Sequence, residues 1–238
     1  MQNPPSPQMI FGWLYPKKCV GCQSWGKYFC DSCLKRVRVD EVWRCSECSK
    51  ASIGGVRHLY CKESDELDGL VSFLPYRGVI GAGVRSLKYR FLKKIEEDLY
   101  KIFVGAVRGK LKGGQARGLI DFLKIKPVVV PVPLYWRKHN FRGFNQAEIV
   151  GEMTAKLFGL EINDVFLVRR KETKPQAKLN KSERVANLKL AFGVRKSKKI
   201  DNVLLVDDVW TTGETMRSAS KTLKEAGVKK VWGLTLAR

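Results

Sequence analysis

The sequence lacks any run of apolar residues long enough to cross a membrane. A transmembrane helix needs about 18 or more consecutive apolar residues, and none of the 238 residues belongs to such a run. The first 16 residues hold no lysine or arginine ahead of their short apolar stretch, so they lack the basic start of a secretory signal peptide. We therefore predict a cytoplasmic protein without membrane insertion.

Acidic residues are scarce relative to basic ones. Asp and Glu number 23 against 45 Lys and Arg, which gives a formal net charge of +22. A charge of this size attracts polyanions, nucleic acid first and phosphorylated metabolites second. The alternative is a lysine-rich surface that is merely solvated. The hydrophobic fraction of 44% is that of a globular protein, so disorder over the whole chain is excluded.

Cysteine is absent after residue 61. The seven cysteines before that point include three C-x-x-C pairs, C-V-G-C, C-D-S-C and C-S-E-C. In a reducing cytoplasm, such clustering indicates metal binding rather than disulfides. Two C-x-x-C pairs together supply the four sulfurs of a tetrahedral zinc site. The first two pairs complete one such site, with the ligands Cys19, Cys22, Cys30 and Cys33.

The other three cysteines form a full ligand set only with a histidine. Cys45, Cys48 and Cys61 are joined by His58 in the stretch H-L-Y-C, which predicts a second, Cys3His zinc site. The alternatives are a surface imidazole at His58 and an interleaved pairing of the C-x-x-C pairs. A segment of about 65 residues with few large aliphatic side chains cannot fold alone, so we expect structural rather than catalytic zinc, in a domain of residues 1–66.

Strand-like and helix-like segments alternate after residue 66. Apolar strand-like runs lie at residues 71–76, 127–134, 164–168, 200–206 and 228–237, and helical periodicity at residues 83–107, 145–158 and 214–226. This alternation indicates an α/β domain, residues 67–238, with a mainly parallel twisted sheet and helices on both faces. Pro131 and Pro133 should end their strand in a loop, because proline cannot donate to the ladder. Ligands of such sheets bind at the carboxyl ends of the strands.

The stretch V-L-L-V-D-D-V-W-T-T-G-E-T, residues 203–215, places two carboxylates at the end of a buried strand. The loop after Asp207 and Asp208 leads into a helix whose first backbone amides lack partners and favour an anion. Threonine hydroxyls add donors, and Gly213 allows close approach of the backbone. Carboxylates accept hydrogen bonds from vicinal hydroxyls, so the stretch predicts a site for a ribose 5-phosphate group. The alternative is an acid pair that only caps a turn.

This stretch resembles the phosphoribosyl diphosphate (PRPP) binding signature of type I phosphoribosyltransferases. Together with the cysteine-rich N-terminal part, the sequence resembles the ComF family, phosphoribosyltransferase-like proteins associated with competence for DNA uptake. Further motifs that carry this resemblance are L-K-Y-R-F at residues 87–91, R-G-F-N-Q-A at residues 142–147, and Gln176, Leu179, Arg184 and Asn187 in Q-x-x-L-x-x-x-x-R-x-x-N. The resemblance implies a type I phosphoribosyltransferase-like fold with an N-terminal double zinc ribbon, in which His58 stands where a cysteine is usual.

The resemblance also implies roles for individual residues. Asp207 and Asp208 would contact the ribose diol, and in an active transferase they would be the catalytic residues. The 5-phosphate would be held by Val209, Trp210, Thr211, Thr212, Gly213, Glu214 and Thr215, and the diphosphate with its Mg²⁺ would lie near Val132, Pro133 and Leu134.

Cations follow the predicted diphosphate loop. Arg137, Lys138 and Arg142 suit a diphosphate-magnesium complex or a nucleic-acid backbone. His139 could carry a proton in catalysis, and the alternative is a surface histidine within a basic turn. Residues 169–184 could close over the ligand and exclude water, and the alternative is a solvated connection.

Aromatic residues are interleaved with cations in the N-terminal part. They are Trp13, Tyr15, Trp25, Tyr28, Phe29 and Trp43. This mixture is typical of proteins that bind single-stranded nucleic acid, where bases stack on aromatic rings. The alternative is that most of these rings pack a small core around zinc.

Three functions fit these expectations. The first is a PRPP-binding protein of DNA uptake that holds single-stranded DNA on its basic surface and works with other DNA-import proteins. The second is an active phosphoribosyltransferase, a pentosyl glycosyltransferase that moves ribose 5-phosphate from PRPP to a base or amine. The third is a regulator of purine metabolism that senses PRPP. Glutamine-dependent amidotransfer is excluded, because the first cysteine, Cys19, belongs to a metal pair and is no N-terminal nucleophile.

Overall fold

The computed structural model describes eight stretches of the chain. They are residues 17–39, 42–61, 67–87, 93–112, 116–135, 144–170, 191–195 and 199–238. In chain order they contain α1 (Asp31–Leu34), β1 (Trp43–Arg44), β2 (Ala51–Ser52), β3 (Gly69–Leu74), α2 (Gly78–Ser86), α3 (Lys93–Lys112), α4 (Arg117–Lys124), β4 (Val128–Pro131), α5 (Gln146–Phe158), β5 (Leu167–Arg169), β6 (Phe192–Val194), β7 (Asn202–Val209), α6 (Glu214–Glu225) and β8 (Lys230–Ala237). The described part of the chain therefore mixes strands and helices, in the order β4-α5 and β7-α6-β8 in its C-terminal half.

A four-stranded parallel sheet forms the centre of the described structure. Its strands lie in the order β3-β8-β7-β4, and all three pairings are parallel. The middle of β7 is fully buried, as expected for a strand covered on both faces. Its side chains alternate between two hydrophobic clusters, with Leu204 and Val206 in one and Val203 and Leu205 in the other. The predicted α/β class with a mainly parallel sheet is confirmed.

Helices cover both faces of this sheet. One cluster joins the sheet to α3 and α5 through Leu99 and Val150, and the other joins it to α6 through Met216. The helix predicted over residues 83–107 corresponds to the end of α2 and most of α3, while residues 88–92 lie outside the described stretches. None of the described helices combines the length and the apolar character that a membrane span requires.

The strand predicted at residues 164–168 differs from the prediction in place and length. It is β5, which pairs antiparallel with β6 in a separate two-stranded sheet. Phe166 and Leu167 are buried in the same cluster as Met216 of α6. The apolar run therefore fills the core beside α6 and adds no strand to the parallel ladder.

The cysteine-rich segment packs directly against the sheet. The indole Nε1 of Trp43 donates a 2.9 Å hydrogen bond to the backbone oxygen of Ser72 in β3, and the Trp43 ring meets the Phe73 ring edge-on at 5.7 Å. The Phe29 ring lies so close to α2 that a Cβ on Gly83 would come within 2.5 Å of it. Phe29 and Trp43 are therefore core residues, as one of the two readings of the aromatics expected. The predicted boundary at residue 66 lies outside the described stretches and stays a prediction.

Candidate functional site

The acid pair, Asp207 and Asp208, lies near the carboxyl end of strand β7, just before the loop. β7 continues to Val209, so Asp207 and Asp208 still belong to the strand, which the sequence had predicted to end at Val206. Asp207 stands opposite Thr235 of β8 in the parallel register. Both aspartates are half-buried. The ladder with β8 therefore holds the backbone of the acid pair in a fixed position at the carboxyl edge of the sheet.

The pKa of the Asp207 carboxyl group is set by opposing influences. Burial, and then the negative charge of Asp208, raise the pKa of Asp207 well above its usual range. A 2.9 Å hydrogen bond from the backbone N–H of Asp208 to Asp207 Oδ1 and the positive charge of Arg169 act in the opposite direction. A ligand that offers hydroxyl donors at this edge would offset the repulsion between the two carboxylates.

A second loop meets the acid pair at the same edge. Pro131 of β4 stands opposite Val206 of β7, and the backbone N–H of Val132 donates to the Val206 oxygen at 2.8 Å. The Asn145 side chain donates to the Val132 oxygen at 3.0 Å and also accepts from the first turn of α5. The predicted diphosphate loop, Val132 to Leu134, is therefore anchored beside the predicted ribose site.

The loop after the acid pair is shaped by a buried tryptophan. Trp210 is 4% exposed, and its backbone N–H donates to the Ala237 oxygen at 2.9 Å. Gly213 precedes α6 with a φ of 78°, and a Cβ at Gly213 would fall on the Trp210 ring. Glycine is thus required at this position by both the backbone conformation and the ring. The buried side chain of Trp210 packs against the loop, and the neighbours Thr211 and Thr212 offer the exposed side chains for the predicted phosphate.

The donors that the sequence predicted for a phosphate are accessible. Thr211 and Thr212 are exposed, and the N-cap residue of α6, Gly213, has no side chain to cap its first amides. An anion at this end of α6 would be favoured by the free amides and by the helix dipole. The predicted cations Arg137, Lys138 and Arg142, together with His139 and residues 171–190, lie outside the described stretches.

One arginine at the site, Arg217, was missed by the sequence analysis. Arg217 donates to the backbone oxygen of Thr212 at 2.7 Å and to that of Ser46 at 3.0 Å, while its guanidinium lies 5.6 Å from the Trp210 ring centre. It therefore ties the loop before α6, the predicted phosphate loop, to the third C-x-x-C pair. Arg169, the first residue of the segment predicted to close over the ligand, lies in β5, and its positive charge opposes part of the rise in the pKa of Asp207. The only signal for Arg217 in the sequence is its place one turn into the helix after the loop.

The first four cysteines come together around α1. The sulfurs of Cys19, Cys22, Cys30 and Cys33 all lie within 4.8 Å of one another. Hydrogen bonds from Ser24 lower the pKa of Cys22 to about 6, whereas hydrogen bonds with Cys30 and Cys22 raise the pKa of Cys33 to about 12. Four thiolates at this separation repel one another, and a dication such as Zn²⁺ removes that cost. The donor set fits a closed structural zinc site.

The second ligand set contains the histidine that the sequence singled out. Cys45, Cys48, His58 and Cys61 also offer ligand atoms within 4.8 Å of one another. His58 Nδ1 lies 3.2 Å from Cys48 Sγ, and His58 Nε2 lies 2.9 Å from the backbone oxygen of Ala51. Because a carbonyl oxygen only accepts, Nε2 carries the proton and the lone pair of Nδ1 faces the sulfurs. The two sets follow the chain order, and each of them could hold zinc.

Replacement of His58 is expected to remove one zinc ion and leave the other. His58→Ala deletes one ligand of the second set and does not touch the first. Elemental analysis by plasma mass spectrometry should find two zinc ions per wild-type chain and about one per variant chain. The chain has only one other histidine, so His139→Ala is the matched control and should keep two. Two zinc ions in His58→Ala would show that His58 is no ligand.

Known proteins similar to this chain are named for competence and DNA utilisation. No family model matches the chain. Competence protein F of Haemophilus influenzae is 29% identical over 226 residues, which cover 92% of this chain and 90% of that protein. DNA utilization protein YhgH of Escherichia coli strain K12 is 26% identical over 216 residues, or 88% of this chain and 90% of that protein. Competence protein ComFC of Streptococcus pneumoniae is 28% identical over 212 residues, or 88% and 86%. Each of these matches spans at least 88% of this chain, and the names of these proteins support its resemblance to the ComF family.

Proposed function

We propose that this chain binds PRPP at the edge formed by its acid pair and phosphate loop, and that it acts in DNA uptake by handling single-stranded DNA. The observation that carries the PRPP assignment is the register of β4 on β7. This register brings the Val132 loop beside Asp207 and Asp208, because the backbone N–H of Val132 donates a hydrogen bond to the oxygen of Val206. The role in DNA uptake is supported by the names of the relatives and by the net charge of +22.

Each part of the edge has a chemical task in this proposal. The two carboxylates accept hydrogen bonds from the ribose hydroxyls, and Thr211 and Thr212 donate to the 5-phosphate with the first amides of α6. The backbone of the Val132 loop faces the diphosphate. Magnesium, when bound with the diphosphate, would offset part of its negative charge. Arg217 holds the Thr212 oxygen and thereby keeps the phosphate loop in one conformation.

The alternative activity is phosphoribosyl transfer, and it would use the same acid pair. As the diphosphate leaves, positive charge develops on the ribose ring, and carboxylates at this edge would stabilise it. Such chemistry depends on positioning and charge more than on a nucleophile. Measurement of diphosphate release from PRPP, with a panel of bases and amines as acceptors, distinguishes transfer from binding alone. Release with any one acceptor indicates a transferase, and no release with any of them indicates a binding protein.

The PRPP assignment is tested by calorimetry with the two aspartates replaced. Asp207→Asn combined with Asp208→Asn removes two charged acceptors and keeps their shape. We expect a loss of affinity for PRPP with Mg²⁺ of at least about 100-fold, because a hydrogen bond to a charged group contributes about 1.5–3 kcal/mol. The control, Asp31→Asn combined with Asp121→Asn, removes the same charge from two exposed ion pairs and should bind like wild type. Equal affinity in both double variants would overturn the assignment.

A further inference from the structure

A wide cavity lies beside the first cysteine cluster, on residues that the PRPP site does not use. Its volume is about 520 Å³, within the usual range for ligand sites. The floor is apolar and includes Val20 and Val79. Four arginines line it, two of them from the segment after α1 and two from the ends of α2: Arg36, Arg38, Arg77 and Arg85.

The described charged residues that line this cavity are all basic. Within the part of the chain that the structure describes, no acidic residue lines it, and all four arginine side chains are exposed to solvent. Within the described stretches, no carboxylate forms an ion pair with any of the four. Four guanidinium groups around one cavity repel one another, so an anion in the cavity is strongly favoured. Guanidinium groups bind phosphate oxygens in a fixed, two-pronged geometry.

The lining distinguishes this cavity from a sugar-phosphate site. Its described lining residues include no carboxylate to receive the hydroxyls of a ribose, in contrast to the edge with Asp207 and Asp208. It is also open to solvent and crosses from the cysteine-rich segment to α2. A chain of phosphates with its sugars and bases directed outward fits such a site better than one compact metabolite.

An aromatic platform lies on the hairpin that also supplies Gly21 and Cys22 to the cavity lining. Lys18 pairs with Trp25 across this hairpin, and its ammonium lies 4.1 Å from the centre of the Trp25 ring. Trp25 is 63% exposed, unlike the buried Phe29 and Trp43. An exposed ring beside cations is the arrangement on which bases of a single strand stack.

We propose that the arginine cavity binds the phosphodiester backbone of single-stranded DNA. This rests on the proposed role in DNA uptake and assigns its binding surface. Sequence plays no part in the contact, because arginines reach phosphates and Trp25 offers a face to any base. The cavity and the PRPP edge have no lining residue in common, so each should be removable without loss of the other.

The test is fluorescence anisotropy with a labelled oligothymidine of about 16 nucleotides, titrated at several salt concentrations. In Arg36→Gln combined with Arg77→Gln, one cation is lost from each side of the cavity. The dissociation constant should rise at least tenfold at about 50 mM salt, and the slope of log affinity against log salt should fall by about 1.4, since each phosphate contact in a single strand contributes about 0.7. PRPP affinity, zinc content and melting temperature should equal those of wild type.

The control is Arg108→Gln combined with Arg117→Gln, which removes the same charge from α3 and α4 outside the cavity. It should bind the oligonucleotide within about twofold of wild type. An equal loss in both double variants, or none in either, overturns the cavity assignment while wild-type DNA binding still supports the wider role. If wild type itself ignores the oligonucleotide, the DNA role fails too. Displacement of the oligonucleotide by thymidine monophosphate at equal nucleotide concentration would identify a mononucleotide site and overturn the proposal.

Discussion

Removal of zinc is expected to lower the melting temperature of the whole chain by more than about 10 °C. The reason is that the segment that carries the two predicted zinc sites packs into the core of the sheet. Trp43, between the two ligand sets, bonds to Ser72 and packs on Phe73, and Phe29 fills the space above Gly83. Loss of the metal would release both aromatic rings from the sheet as well as unfolding the ligand loops.

The expected size follows from the energetics of structural zinc. Binding to such sites contributes about 10–16 kcal/mol of apparent free energy, which in small zinc domains is folding free energy. For a chain of this size, about 1 kcal/mol at the midpoint shifts the melting temperature by roughly 2–4 °C. Transfer of about half of the zinc energy to the shared core, about 5–8 kcal/mol, would therefore lower the melting temperature by about 10 °C or more.

Scanning calorimetry with and without a zinc chelator makes the measurement. Cys19→Ser should reproduce the chelator's effect at the first set, because Cys19 is fully buried. Addition of zinc after removal of the chelator should restore the wild-type curve and thus serves as the control. A melting temperature unchanged within about 2 °C would mean that the cysteine-rich segment contributes nothing to the core of the sheet.

Gly213→Ala is expected to weaken PRPP binding by about 100-fold, because displacement of a binding group by about 1 Å can cost that much. The added Cβ would fall on the buried Trp210 ring, so the ring and the loop must both move. Thr211 and Thr212 move with them, away from the phosphate position. Overpacking of this kind also costs about 1–3 kcal/mol of stability, in addition to the cost of alanine at positive φ.

A second glycine separates the two costs. Gly159, at the end of α5, has a φ of 64°, and a Cβ there would meet no atom within 4 Å. Gly159→Ala therefore suffers the backbone cost alone and should bind PRPP like wild type, with a stability loss of about 1–2 kcal/mol. Calorimetric titration and thermal melting of both variants compare them. If Gly213→Ala binds PRPP as well as Gly159→Ala does, the loop before α6 does not hold the phosphate.

The sequence predicted the features that depend on residues close together in the chain. The C-x-x-C spacings identified both ligand sets, since two sulfurs separated by two residues reach one metal. The apolar strands and the helical periods predicted the α/β architecture. The bounds of α5 and α6 agree with prediction within one residue, because Asn145 caps one helix and Gly227 follows the other.

What the sequence could not predict depends on residues that are distant in the chain. The bond from Arg217 to the Ser46 oxygen joins positions 171 residues apart. The contact of β5 with β6 spans residues outside the described stretches, and the arginine cavity combines two segments that carry no shared motif. The length of β7 was also misjudged: an aspartate is a poor strand residue, but pairing with Thr235 keeps Asp207 in the ladder.

The central claim is that Asp207 and Asp208 recognise the hydroxyls of a ribose whose phosphate lies on the following loop. Its most direct test compares ribose 5-phosphate with 2-deoxyribose 5-phosphate as competitors of PRPP. Wild type should prefer the ribose form at least tenfold, since loss of one hydrogen bond to a charged group costs about 1.5–3 kcal/mol. In Asp207→Asn combined with Asp208→Asn the preference should shrink to within about threefold. Equal binding of both sugars to wild type would contradict the claim.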